Sequence, residues 1–439
     1  MTAAPFSAYP ESSKPDIGRA AVMCLLAIAL VYGGFYIGRA LLGSGQGLDF
    51  AQYYMAGCFV LSGEPLTMYD TGVLYQIKAH NFGIRALQSD KGLLDVMTYA
   101  YPPAVAYLMT PLSLLPYNAA RYLFSLVTLV AVIAAIPLLF ANREHSRRLV
   151  LTITGWAALL IFSPLHRTLH LGQINGILFL CLVLGLYFAR KDRAWLAGIF
   201  VALAIHIKLF PLILLPFFLI KRQFKLVGTT LLWIAVIAGL TAGAGGPALY
   251  LHYFRVILPS QYEAGAYFRN QGLGGFFARL LTTNEYVHSL GNHPALARFL
   301  TLAAGLVVLA VTFLAMRWRQ RTEPNSLRYD LEYGSCFVAA LLFLSKSYDH
   351  MGMVLLFAFL FLFEALVYTT RKTDWMLALL FSCFAVRSFV LTLESEWYKL
   401  PTSLLANPLF SIHFFAMLAT WVICVSVLRG DKGSKLVTV

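Results

Sequence analysis

The chain has 439 residues, 59% of them hydrophobic and 14% aromatic, with a mean hydropathy of +0.71, which is more apolar surface than one water-soluble core can hide. Its net charge of +14 would suit a nucleic-acid binder, but the basic residues fall in short clusters between apolar runs, where cytoplasmic loops of a membrane protein carry them. The composition therefore excludes a soluble enzyme, speaks against nucleic acid as a partner, and gives an all-α polytopic membrane protein, read as one domain over residues 1–439.

In chain order, a polar Pro- and Ser-containing stretch, Met1 to Pro15, precedes an apolar run that is too long for a cleaved signal and reads as a retained first helix. Apolar runs near 18–42, 117–140, 149–166, 173–189, 194–207, 209–220, 226–244, 300–316, 333–346, 351–368, 375–391 and 408–428 predict about 12 crossings at roughly 20 residues each. The two runs flanking Lys208 are short, so 194–220 is expected to be a broken helix or a hairpin with its apex at Ile207-Lys208-Leu209-Phe210-Pro211. Irregular backbone at that depth is tolerated only where it lines a cavity.

Clusters such as Arg143/Arg147/Arg148, Arg190/Lys191/Arg193, Lys221/Arg222/Lys225, Arg317/Arg319/Arg321, Arg371/Lys372 and Arg429/Lys432/Lys435 assign those loops and both termini to the cytoplasm. The opposite face then collects the loop 43–103, the stretch His166 to Asn175, Lys208, the loop 245–299 and Ser345 to His350. Two pieces of these loops, Tyr75 to Leu87 and Leu249 to Leu258, have the pattern of helices lying in the interface among membrane lipids. Four of the six cysteines, Cys24, Cys181, Cys383 and Cys424, lie in apolar runs without metal-ligand spacing.

Asp49, in Gln46-Gly47-Leu48-Asp49-Phe50 just past the first apolar run, is the carboxylate that most needs an explanation, since a charge at a membrane rim is solvated, paired or used. Leu48-Asp49-Phe50 with Tyr53-Tyr54, Gly63-Glu64-Pro65, Met68-Tyr69-Asp70, Tyr101-Pro102-Pro103, Gly172-Gln173-Ile174-Asn175, Lys208-Leu209-Phe210-Pro211 and Tyr348-Asp349-His350 resembles, in order and spacing, glycosyltransferase family 87. The resemblance runs from about residue 48 to 350. It implies a GT-C-like helical bundle with extracytoplasmic juxtamembrane loops, in a bacterial cytoplasmic membrane. It also implies transfer of a hexose, usually mannose, from a polyprenyl-phosphate donor to a lipid or glycan acceptor on the extracytoplasmic face.

The residues allow that chemistry to be rebuilt. Polyprenyl phosphate is already a good leaving group, so the enzyme needs cations for the departing phosphate, a base for the acceptor hydroxyl and a water-poor pocket. Asp49 is the expected base, and a single carboxylate acting on an in-line acceptor inverts the anomeric centre. Lys208, Arg167 and His350 are the expected phosphate ligands, with His350 also near the reacting atoms and Asp349 orienting it. Tyr53, Tyr54, Gln173, Asn175 and Asp349 are the expected sugar or acceptor contacts, and neither a metal nor another cofactor is expected.

Blander readings stand beside these: Asp49 as a helix cap, Lys208 as a snorkelling side chain, and His166, His170 and His350 as interface histidines. Two rival classes remain. A lipid or sugar transporter should carry ionisable groups at the midplane. An O-antigen polymerase or ligase would rest on loop arginines such as Arg255, Arg269 and Arg279.

Overall fold

The structure is a computed structural model that describes residues 30–39, 41, 48–70, 99–263, 265–316, 322–369 and 411–430. The interface piece Tyr75 to Leu87, the run 375–391, most of the run 18–42 and the clusters at 317–321, 371–372 and 432–435 lie outside them. Among the described residues every regular element is helical.

Four helices are long and apolar enough to cross a membrane: Tyr117–Leu139, Phe224–Gly245, Pro294–Ala315 and Ile412–Arg429. A fifth crossing exists if His145–Ile161 and Ser163–Leu171, which meet at a 58° bend, count as one. The expected twelve is thus reduced, among the described residues, to four or five by length and composition. Several runs read as crossings form helices shorter than about 20 residues: Asn175–Arg190, Ala194–Ile207, Phe210–Ile220, Leu327–Phe343 and Leu355–Thr369. The outer helices are apolar towards their surroundings, with Leu240 71%, Leu302 55% and Leu314 72% exposed, the pattern of surfaces facing lipid. Close packing between helices uses small residues. A Cβ on Gly198 would come within 2.6 Å of the Thr229 hydroxyl on the neighbouring helix.

One end of the bundle is tied by buried ion pairs. Arg143 bonds Asp330 at 2.6 Å and Glu364 at 2.5 Å, Arg147 reaches Glu364, Arg190 reaches Asp330, and Lys221 and Arg328 share Glu332. The sequence places Arg143, Arg147, Arg190 and Lys221 in solvated loops, but the structure buries them against three carboxylates of the helices Leu327–Phe343 and Leu355–Thr369. Charges at this depth persist only when paired.

Because Arg190 and Lys221 meet carboxylates two residues apart on one helix, the chain leaves this end at Ala194 and returns to it at Ile220. Lys208, midway, sits at the opposite end beside Asp49. The segment 194–220 is a hairpin. The loop 245–299 begins with Ala248–His252, a π-turn at Tyr253–Ile257 and Leu258–Ser260. Leu249, Tyr253 and Ile257 are buried, while Leu251, Phe254 and Val256 are about half exposed. Its exposed face mixes these apolar residues with Arg255 and Ser260.

Candidate active site

Asp49 lies in the first turn of Leu48–Leu61, outside the candidate spans, and is 7% exposed. Its Oδ2 accepts a 2.6 Å bond from Gln173 Nε2, and its Oδ1 is 3.3 Å from Gln52 Nε2. Gln173 is delivered by the end of Ser163–Leu171, where Gly172 takes φ +68°. The Gly172 amide bonds Leu169 O and the Gln173 amide bonds Thr168 O, a Schellman turn that only glycine enters without strain. The Oε1 of Gln173 accepts from Tyr53 Oη at 3.0 Å and Tyr101 Oη at 3.1 Å. Burial raises the Asp49 carboxyl above its ordinary value, while the Gln173 bond and the charges of Lys208 and Arg167 pull it back.

Lys208 occupies the break between Ala194–Ile207 and the turn Phe210–Ile213. Its Nζ lies 5.6 Å from the centre of the Tyr101 ring. Desolvation lowers its ammonium to about 7, against the opposing pull of Asp49. Beyond the lysine, Leu209 and Phe210 line a cavity of about 1180 Å³ that extends between the helices Phe224–Gly245 and Pro294–Ala315, with Ile234, Tyr253, Phe313 and Leu344 on its walls. The cavity is lined almost wholly by apolar side chains, and its volume exceeds the roughly 300–1,000 Å³ typical of pockets for drug-sized ligands.

His350 opens the 3₁₀ segment Asp349–Val354 beside the site, with its backbone carbonyl held by Asn175 Nδ2 at 3.0 Å. Burial, then the charges of Lys208 and Arg167, hold its imidazole well below its ordinary value, with Asp349 opposing. The surroundings therefore favour the neutral ring over the cation.

The structure brings Asp49, Gln173, Lys208, Arg167 and His350 together, and departs from the sequence at four positions. Tyr53 is fully buried against Tyr101 and spends its hydroxyl on Gln173, so it presents nothing to a sugar. Tyr54 points away and donates to Leu115 O at 2.8 Å. Asn175 clamps the His350 backbone where a sugar contact was expected. Asp349, expected to orient His350, turns instead to Arg269 Nη1 at 3.3 Å and His413 Nδ1 at 3.8 Å.

Tyr101 and Gln52 were missed. A Tyr next to Pro-Pro gives no sign of what its hydroxyl meets. Arg279 is fully buried and holds Tyr267 O, Asn270 O and Ser411 Oγ, so it braces the loop and offers nothing to a ligand. No group of three or more His, Cys, Asp or Glu side chains with metal-binding geometry occurs among the described residues, and His166 instead bonds Leu160 O and stacks on Tyr36.

The sequence profile of glycosyltransferase family 87 matches residues 99–345, more than half of the chain. The protein belongs to this family. The matched block holds Tyr101, Arg167, Gln173, Asn175 and Lys208, while Asp49 precedes its start by 50 residues and His350 follows its end by five.

The chain is 26% identical over 316 residues to a polyprenol-phosphate-mannose-dependent alpha-(1-2)-phosphatidylinositol mannoside mannosyltransferase of Mycobacterium tuberculosis, covering 69% of this chain and 67% of that one. It is 28% identical over 313 residues to the protein of the same description from Mycolicibacterium smegmatis, covering 67% of this chain and 64% of the relative. A shorter match, 33% over 128 residues, is to an alpha-(1->3)-arabinofuranosyltransferase of Corynebacterium glutamicum and covers 28% of this chain and 30% of the relative. The family 87 protein is a helical membrane glycosyltransferase.

Proposed function

We propose that this family 87 protein transfers mannose from a polyprenyl-phosphate-mannose donor to a hydroxyl of a glycolipid acceptor on the extracytoplasmic face of the membrane. The observation that carries the reading is the succession of chemistries around the hairpin apex. An apolar cavity large enough for a lipid chain is lined by Leu209 and Phe210, the residues that follow Lys208, and the Lys208 ammonium feels the charge of the Asp49 carboxylate. That is the order of a polyprenyl chain, its phosphate and the sugar-accepting hydroxyl. The names of the mannosyltransferase relatives support mannose as the sugar and a glycolipid as the acceptor.

In this reading the Asp49 carboxylate takes the acceptor's hydroxyl proton as the oxygen bonds the anomeric carbon. The bond from that carbon to the phosphate oxygen breaks, and its electron pair leaves on polyprenyl phosphate, whose growing charge meets Lys208 and Arg167. No proton need be given to the leaving group. Attack opposite the phosphate inverts the centre. A retaining route needs a second carboxylate as nucleophile, and Asp349 is engaged by Arg269 and His413. Neutral His350 serves as a hydrogen-bonding neighbour of the phosphate, and no metal enters. The basic ion-pair end faces the cytoplasm, because the alternative would export the Arg190 and Lys221 clusters.

The test is purified protein incubated with a panel of polyprenyl-phosphate sugars and a phosphatidylinositol mannoside acceptor. Consumption of the mannosyl donor with an α-linked product is expected. Exclusive use of a pentose donor, or a β-linked product, would overturn the proposal.

A further inference from the structure

The amide of Gln173 makes three hydrogen bonds, and together they permit one orientation. Two phenols, Tyr53 at 3.0 Å and Tyr101 at 3.1 Å, converge on Oε1, and the carboxylate of Asp49 lies 2.6 Å from Nε2. A flipped amide would turn its carbonyl oxygen onto the carboxylate, two acceptors without a proton between them. Each phenol comes from a different part of the chain: Tyr53 from the helix that carries Asp49, Tyr101 from the Tyr101-Pro102-Pro103 stretch under Lys208. Gln173 and Tyr53 are buried and Tyr101 is partly buried, so an unmade bond at the amide is expensive.

We infer that Gln173 is a positioning residue, locked by Tyr53 and Tyr101, whose Nε2–H permanently occupies Asp49 Oδ2 and so leaves Oδ1 as the oxygen that receives the acceptor proton. This rests on the reading of Asp49 as the base. Oδ1 carries only the long 3.3 Å contact from Gln52 and keeps a lone pair for the acceptor. The remaining charged and titratable groups facing the carboxylate are Lys208 at the hairpin apex, Arg167 on Ser163–Leu171, Tyr53 and Tyr101, and Tyr348 on the segment before His350. The Gln173 amide makes the short bond to it and favours its ionised form directly.

The readout is the acid limb of kcat/KM against pH, which reports the base in the free enzyme. Gln173→Leu removes the donor and moves the limb up by about one unit or more, the size expected for losing a bond to a charged group. The double variant Tyr53→Phe with Tyr101→Phe keeps the amide but unlocks it, and moves the limb the same way by less. It also carries the test should Gln173→Leu fail to fold. Retained donor binding certifies each variant. Lower turnover at every pH with an unmoved limb means a merely structural amide and overturns the inference, as does a limb moved by Gln173→Leu and not by the double variant. Asp49→Asn separates the two levels. If it keeps turnover within about tenfold, the base reading fails; if it is inactive while the limb of the Gln173 variant stays put, only this inference fails.

Discussion

Replacing Lys208 by Met keeps the aliphatic stem near Tyr101 and removes the ammonium that faces Asp49 beside the apolar cavity. The donor is a phosphodiester with one negative charge, and its phosphate gains a second as the bond to the sugar breaks. A cation at about 4 Å is worth roughly 4 kcal/mol per unit charge at an effective dielectric constant near 20. Part of this is realised on donor binding and part only as charge develops, so both KM and kcat change. With tenfold per 1.36 kcal/mol, kcat/KM should fall by about 10²- to 10³-fold.

The pH profile identifies the residue. The Lys208 ammonium is held down to about 7, so its charge is lost as pH rises through that value, and wild-type kcat/KM should fall on the alkaline side. A bound phosphate favours the ammonium, so the corresponding limb in kcat should lie higher. Lys208→Met should lack this limb, and Lys208→Arg should push it out of range because the guanidinium does not titrate. Steady-state kinetics from pH 5 to 10 with a radiolabelled donor decide the matter. An alkaline limb near 7 that survives Lys208→Met, or a kcat/KM within about threefold of wild type, refutes the assignment.

Asp49→Asn keeps the shape and the Gln173 contact but cannot take a proton, so transfer should fall by at least 10²-fold with donor binding retained in a direct binding assay. Transfer should survive a strong chelator, since side-chain cations are proposed to meet the phosphate; loss that Mg²⁺ or Mn²⁺ restores would point to Asp49 as a metal ligand. Asp330→Asn leaves Arg143 and Arg190 short of a buried counter-charge and should cost about 3–5 kcal/mol, read as a lower melting temperature in detergent, with turnover per folded molecule unchanged. Single cysteines introduced by Lys191→Cys and Lys225→Cys, both at exposed positions, should be labelled by an impermeant reagent from the same side, and Glu64→Cys and Glu285→Cys from the other. Labelling of positions 191 and 225 from opposite sides would mean that 194–220 crosses once.

The helical class, the break at Lys208 and the gathering of Asp49, Arg167, Gln173, Lys208 and His350 at one end were legible because each leaves a local mark. These marks are an apolar run, a proline beside a charge, and a polar residue where lipid forbids one. What each side chain faces was not legible. Tyr53 and Tyr101 are 48 residues apart and meet on the amide of Gln173, a contact no local pattern encodes. The number of crossings was not legible either, because Asn175–Arg190, Ala194–Ile207 and Phe210–Ile220 are apolar by composition and yet shorter than about 20 residues. The ion-pair end was half legible. Its basic members stood out as clusters, but Glu364, inside the run 351–368, and Asp330 and Glu332, just before the run 333–346, were passed over although an acid in or beside an apolar run is the rarer signal.

The helix Leu327–Phe343 explains why so many short helices can hold one site. Its first turns carry Asp330 and Glu332, which fix the ends of Asn175–Arg190 and of the 194–220 hairpin through Arg190 and Lys221. Its far end leads within a few residues to Ser347 and His350, which bond Asn270, Gln271 and Asn175. The helix following Gln173 and the returning arm of the hairpin, which ends at Lys221, are therefore pinned to a single rod at the end away from the site. Helices too short to be fixed by lipid on both sides gain their depth from these buried pairs. Because Ala194 follows the anchored Arg190 by only four residues, the spacing between Gln173 and Lys208 is set by helix length: 16 residues from Asn175 to Arg190 against 14 from Ala194 to Ile207. At 1.5 Å per residue the two differ by only about 3 Å, which is what brings the amide that holds Asp49 and the ammonium of Lys208 to the same level.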